Sequence, residues 1–168
     1  MRPASLSKPK TRYPNGNHAL AWRYDDGGRA VAGHPTDRRY GDCVCRAIAI
    51  ATNLTYQEVY DDLEAGMRTQ RRSKHETRNR DPDHGVNVNR KWFRDYMCEL
   101  GFVWHPVGRC RRYFVQEAIP LRGRIIVLLH DHVSAVIDGV IHDTYHPAEA
   151  TTAAPCVRLH GYWRLKGT

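Results

Sequence analysis

Residues 43–52, Cys-Val-Cys-Arg-Ala-Ile-Ala-Ile-Ala-Thr, constrain this chain more than any other stretch. Val44, Ala47, Ile48 and Ala51 recur at the i, i+3, i+4 and i+7 spacing of one helix face, and Ala49 and Ile50 make the remaining surface apolar too. A helix that is apolar on every side has to lie inside the fold, with the rest of the chain wrapped around it. Gly41 permits a sharp turn ahead of it and Asp42 is a competent N-cap, so Cys43 falls at the first helical position. Unpaired amides and the helix dipole at such a position favour a thiolate over a thiol. Taken alone, an isolated cysteine reads more readily as a buried core residue, and its position at a helix start narrows that preference.

A second constraint comes later in the chain. Val133 to Ile137 and Val140 to Ile141 flank Asp138-Gly139, a dipeptide suited to a two-residue type I′ hairpin turn. That turn places Ile137 opposite Val140, Ala135 opposite His142, Ser134 opposite Asp143 and His132 opposite Tyr145. His132 and Ser134 share a face because strand side chains alternate, so Asp143 is the diagonal same-face neighbour of His132. The backbone separation for such a diagonal is roughly 7 to 8 Å, which two side chains span. His142 points to the other face.

Cysteine, histidine and carboxylate have complementary chemistry. A thiolate attacks an acyl carbon, an imidazole carries the proton, and a carboxylate fixes the tautomer and orientation of the imidazole. Cys43, His132 and Asp143 fit these roles as candidate catalytic residues. Positions 43 and 45 point about 200° apart on a helix, so only one of Cys43 and Cys45 can face His132, and Cys43, just after the Gly-Asp turn, is preferred. Arg46 is read mainly as a helix-flank salt bridge, with pairing to an acid near the site as the other reading.

The stretch Gly41 to Thr52, then Tyr56-Gln-Glu-Val-Tyr60, then His132 to Thr144, resembles the papain-like cysteine peptidase superfamily, most closely its compact bacterial and phage members and the bacteriocin-processing peptidases. The resemblance covers residues 35–165. It implies an α+β papain-like fold, N-terminal helices packed on a C-terminal antiparallel sheet, with Cys43 as nucleophile, His132 as base and Asp143 as the orienting acid. The implied activity is that of a thiol protease: hydrolysis of a peptide or isopeptide bond through an acyl-enzyme. Deamidation or acyl transfer on the same three residues is the nearest alternative. One departure stands out, because Asp37 occupies the position where such enzymes usually place an oxyanion-binding glutamine, and an ionised aspartate has no proton to donate. Tyr40, Arg38 and the backbone amide of Cys43 are the substitute donors.

Composition bounds the remainder. A chain of 168 residues with 41% hydrophobic content is expected to form one domain, residues 19–168, preceded by a flexible basic arm, residues 1–18, that holds three prolines and no acid. Five cysteines at irregular spacing do not form a disulfide framework, and Cys-x-Cys is not a zinc clamp, so neither metal nor cofactor is expected. No apolar run reaches the length of a membrane span and no signal-peptide core stands at the start, which leads to the expectation of a cytoplasmic protein. The net charge of +8 supports a rival function. A basic loop at about 67–85, with Arg71, Arg72, Lys74, Arg78 and Arg80, offers phosphate contacts to an acidic or nucleic-acid partner, and the chain is then a binding module on a peptidase-like scaffold.

Local signals complete the outline. Trp22 to Tyr24 and Ala30 to Ala32 around Asp25-Asp-Gly-Gly read as a short hairpin. Thr55-Tyr-Gln-Glu58 is a capping box with Leu54 and Val59 as its hydrophobic staple, so a helix is expected from Tyr56 to Ala65 with Gly66 ending it. Trp92, Phe93, Tyr96, Met97 and Leu100 keep helical spacing up to Gly101. Short strands are expected at 102–104, 124–129 and 157–165, and a short helix at 113–119.

Overall fold

The run Ile125-Ile-Val-Leu-Leu129 is apolar at consecutive positions, and a strand of that kind must be covered on both faces. It occupies the middle of the molecule. The structure, a computed structural model, describes residues 20–35, 41–70, 81–107, 119–147 and 158–168. Its elements are β1 (Ala21–Tyr24), α1 (Cys43–Thr52), α2 (Tyr56–Arg68), a 3₁₀ turn (Pro82–His84), α3 (Lys91–Glu99), β2 (Phe102–Pro106), β3 (Arg124–Leu129), β4 (His132–Ile137), β5 (Val140–Asp143) and β6 (Leu159–Leu165). The six strands form one sheet in the order β1-β5-β4-β3-β6-β2.

Strand alternation sorts the core into two layers. Ile126 of β3, Val133 and Ala135 of β4 and Trp163 of β6 face the helices, where they meet Val44, Ala47, Ile48 and Ala51 of α1, Val59 and Leu63 of α2, and Phe93 and Met97 of α3. Ile125, Val127 and Leu129 turn to the opposite face with Val136, Ile141 and Leu159. α1 is buried along almost its whole length, as its composition requires. Its C-terminal end is closed by Asn53 in the left-handed conformation and by Arg124, whose guanidinium donates to the Ala51 carbonyl at 3.2 Å and to Asn53 Oδ1 at 2.8 Å.

The hairpin of β4 and β5 takes the register expected from its turn residues. Ile137 pairs with Val140 and Ala135 with His142, and Asp138 and Gly139 adopt φ of 46° and 78°, as a type I′ turn needs. The capping box of α2 also forms, with the Glu58 amide donating to Thr55 Oγ1 at 3.2 Å and the Thr55 amide to Glu58 Oε2 at 2.8 Å.

Several expectations need correction. The sheet is mixed rather than antiparallel, because β1 joins its edge parallel to β5. Residues 25–33 do not return as a second hairpin strand. The Asp26 carboxylate instead accepts from the amides of Gly28 and Ala30, and Gly27 and Gly28 at φ of 64° and 86° coil the chain into successive turns. A side chain at Gly27 would come within 2.9 Å of the Arg46 carbonyl, so glycine lets this turn lie directly on α1. The polar loop begins after Arg68, not at 67, and its residues 71–80 lie outside the described residues, as do the arm at 1–18 and most of the helix expected at 113–119.

Gly66 does not end α2, which continues to Arg68. The face of Trp92 from α3 lies where a Cβ would be, so glycine here serves helix-to-helix contact and not termination. Gly66→Ala should therefore destabilise the protein by about 1–3 kcal/mol through overpacking, even though alanine is the better helix former. Urea denaturation of the two proteins measures the difference, and a gain in stability would refute the packing role.

Candidate active site

Three elements converge at one end of α1. Gly41 gives the chain room to approach residues 83–85, donating its amide to the Asp83 carbonyl, and α1 then begins at Cys43. The β3 to β4 connection is a two-residue turn in which Asp131 adopts φ 58°, and it delivers His132 as the first residue of β4. β5 ends on Asp143. The diagonal expected from the hairpin register closes, with His132 Nε2 and Asp143 Oδ2 2.7 Å apart. Cys43 lines the same cleft as His132 and lies near enough to bear on the charge of the imidazole. With Nε2 committed to the carboxylate, Nδ1 is the ring nitrogen left for sulfur. Tyr145 packs its ring 4.9 Å from that of His132 and shields the pair on one side.

Electrostatics favour a charged imidazole. Burial, the largest influence on His132, opposes the cation, but the hydrogen bond to Asp143 and the proximity of Cys43 and of the Asp143 charge outweigh it and push its pKa up to about 9. Burial likewise works against the Asp143 anion. Its bond to His132 and the charges of His132 and Arg46 prevail and hold its pKa below the ordinary carboxylate value.

Asp42 does not cap α1. It stands at the N-cap position, yet its side chain makes no capping hydrogen bond because other groups hold it. Oδ1 accepts from Arg46 Nε at 3.1 Å, and Oδ2 accepts from the Tyr56 hydroxyl at 2.9 Å and pairs with Arg29. Arg46, only 7% exposed, combines both readings of it, since the same guanidinium that pairs with Asp42 also donates to Asp143 Oδ1 at 2.8 Å. Arg29 reaches Asp83 Oδ1 at 3.3 Å, which ties the network to the 3₁₀ turn itself. The i, i+4 spacing of Asp42 and Arg46 was visible in the sequence. Nothing local marked Arg29, Tyr56 or Asp83 as their partners.

Cys45 is fully buried and its thiol donates to the Tyr56 carbonyl at 3.6 Å. Burial, aided by the Asp42 charge, drives its pKa far up, so it remains a protonated core thiol. Cys43, in contrast, opens onto a cleft of about 720 Å³. One wall is formed by residues 84–89 and the other by Trp104, His130, Asp131 and His160. His160 is set there by an irregularity in β6, where Leu128 pairs with Gly161 and Leu129 with Leu159, leaving His160 as the extra residue.

With no side-chain cap from Asp42, the first-turn amides of α1 remain available on the Cys43 side. Asp37, Arg38 and Tyr40 lie outside the described residues, as do Arg71, Arg72, Lys74, Arg78 and Arg80. Among the described residues no group of three or more His, Cys, Asp or Glu side chains is placed to hold a metal ion. No helix among them is long and apolar enough to cross a membrane.

The coupled pair sets a pH dependence of stability. His132 is raised in the folded state, so its contribution is complete below its unfolded pKa of about 6.5 and disappears as pH rises through about 9. Asp143 is lowered, so its contribution is present above its unfolded value and disappears as pH falls through the depressed one. Urea denaturation should show a loss on the order of 2–3 kcal/mol between pH 6.5 and 9.5, largely absent in Asp143→Asn. Equal slopes in the two proteins would contradict the pairing.

No protein-family model, no curated protein and no solved structure matches this chain.

Proposed function

We propose that this protein is a papain-like cysteine hydrolase that cleaves a peptide or isopeptide bond through an acyl-enzyme on Cys43. The observation that carries this reading is one imidazole with a carboxylate 2.7 Å from Nε2 that shares the lining of a cleft with the Cys43 thiol. Each partner has a task. Asp143 keeps the ring oriented and stabilises its cation, and His132 takes the proton of Cys43. The sulfur attacks the substrate carbonyl carbon, and the carbonyl electron pair moves onto oxygen, within reach of the first-turn amides of α1.

Collapse of that intermediate breaks the bond to nitrogen, and the departing amine takes the proton from His132. A thioester remains on Cys43. His132, now neutral, removes a proton from water as the oxygen adds to the thioester carbon, and the second collapse releases the acid and regenerates the thiolate beside the imidazolium. The acceptor alone separates hydrolysis from acyl transfer, and an ammonia leaving group would make the same cycle a deamidation.

The cleft bears on substrate type. Its lining mixes the apolar side chains of Val44, Val86, Trp104 and Val133 with Asn87, Asn89 and three histidines other than His132, so an extended chain with both apolar and polar groups suits it better than a small charged metabolite.

Alkylation by iodoacetamide, with sites located by mass spectrometry, tests the nucleophile. Cys98 is exposed and serves as the internal reference for an ordinary thiol. Near pH 7, Cys43 should react at least about tenfold faster than Cys98, unchanged in Cys45→Ala and reduced about tenfold or more in His132→Ala. A Cys43 that reacts no faster than Cys98 in the wild type would sink the proposal.

A further inference from the structure

We propose that Arg46 is a positioning residue for the His132–Asp143 pair, its planar guanidinium fixing one oxygen of Asp143 so that the other is presented to the imidazole. This rests on the reading of Cys43, His132 and Asp143 as the reacting trio. The two carboxylate oxygens of Asp143 have separate partners. Oδ1 receives Arg46 at 2.8 Å and the Thr144 amide at 2.7 Å, while Oδ2 faces His132 at 2.7 Å. Without a partner on Oδ1 the carboxylate could rotate about its Cβ bond, and the orientation that His132 depends on would be one of several.

The guanidinium is itself anchored through two of its nitrogens. Nε donates to Asp42 at 3.1 Å, and the amino group that holds Asp143 also donates to Thr144 Oγ1 at 2.9 Å. Asp42 in turn is fixed by Arg29 and Tyr56. The restraint on Asp143 is thus carried back into the core of the molecule. Only arginine suits this, because a lysine ammonium is a single point that cannot reach Asp42 and Asp143 in a fixed planar geometry.

Positioning and simple electrostatics predict opposite signs, which makes the role testable. A cation behind Asp143 repels a proton on His132, so if Arg46 acted through charge alone its removal would raise the His132 pKa. If it acts by holding the carboxylate, its removal weakens the bond to His132 and the pKa falls. The groups that bear on His132 are Cys43 from α1, Asp143 from β5, the Tyr145 ring beside it and Arg46 behind Asp143.

The experiment is an NMR titration of the His132 imidazole in the full chain, for wild type, Arg46→Met, Arg46→Lys and Thr144→Val, with Cys43 alkylation measured in parallel. The wild-type ring should titrate near 9. Arg46→Lys keeps the charge and should lower this by about one pH unit, a tenfold weaker hold on the proton, and Arg46→Met should also fall below the wild type but by less, because losing the cation offsets part of the change. Thr144→Val, which removes one anchor and no charge, should shift it in the same direction by less.

An unchanged His132 in Arg46→Lys, or a raised one in Arg46→Met, would overturn the positioning role. Should Arg46→Met fail to fold, the lysine and Thr144 variants decide. Slow alkylation of wild-type Cys43 together with a lowered His132 pKa in Arg46→Lys would remove the hydrolase reading and uphold the positioning role, so the two failures are distinguishable.

Discussion

A carboxylate withdrawn from water must be met by donors on both oxygens, and Asp42, 1% exposed, is met by Arg29, Arg46 and Tyr56. These come from the turns after β1, from α1 itself and from the start of α2. One anion therefore fixes three segments that local propensity would leave independent. Arg29 extends the link to Asp83, and the Asp83 carbonyl receives the Gly41 amide just before α1. Removing one partner from such a buried set costs about 3–5 kcal/mol, more than any single surface ion pair contributes, so the site and its surroundings stand or fall together.

What could be read from the sequence follows from how local each signal is. The β4–β5 register was legible because a two-residue turn and a period of two leave a single pairing, and the pairing fixes which side chains share a face. The position of Cys43 was legible because a helix apolar on all sides has to be central. Gly66 and Asp42 were misread for the same reason as each other. Both carry residue types that usually act on their own helix end, and both are instead recruited by groups from other elements, Trp92 in one case and Arg29 and Tyr56 in the other. The strand at β1 was legible but its partner was not, because nothing within residues 25–33 records that the edge of β5 is open to it, with the Asp143 carbonyl accepting from both Trp22 Nε1 and the Asp25 amide. Local rules hold until a tertiary partner offers a better contact.

The distribution of charge around His132 explains why its proton is retained so strongly. The fixed members of the network are two guanidinium groups, Arg29 and Arg46, and three carboxylates, Asp42, Asp83 and Asp143. They leave one negative charge uncompensated, and of the three carboxylates Asp143 is the one that stands against His132. A proton on the imidazole balances that charge and places the cation directly against the Asp143 carboxylate. Burial strengthens this preference because it weakens the screening that water would supply. The chain as a whole carries a charge of +8, but that excess lies outside this interior network. The charge of the imidazole is thus set by a few buried groups at short range rather than by the net charge of the chain, whose longer-range effects salt would screen.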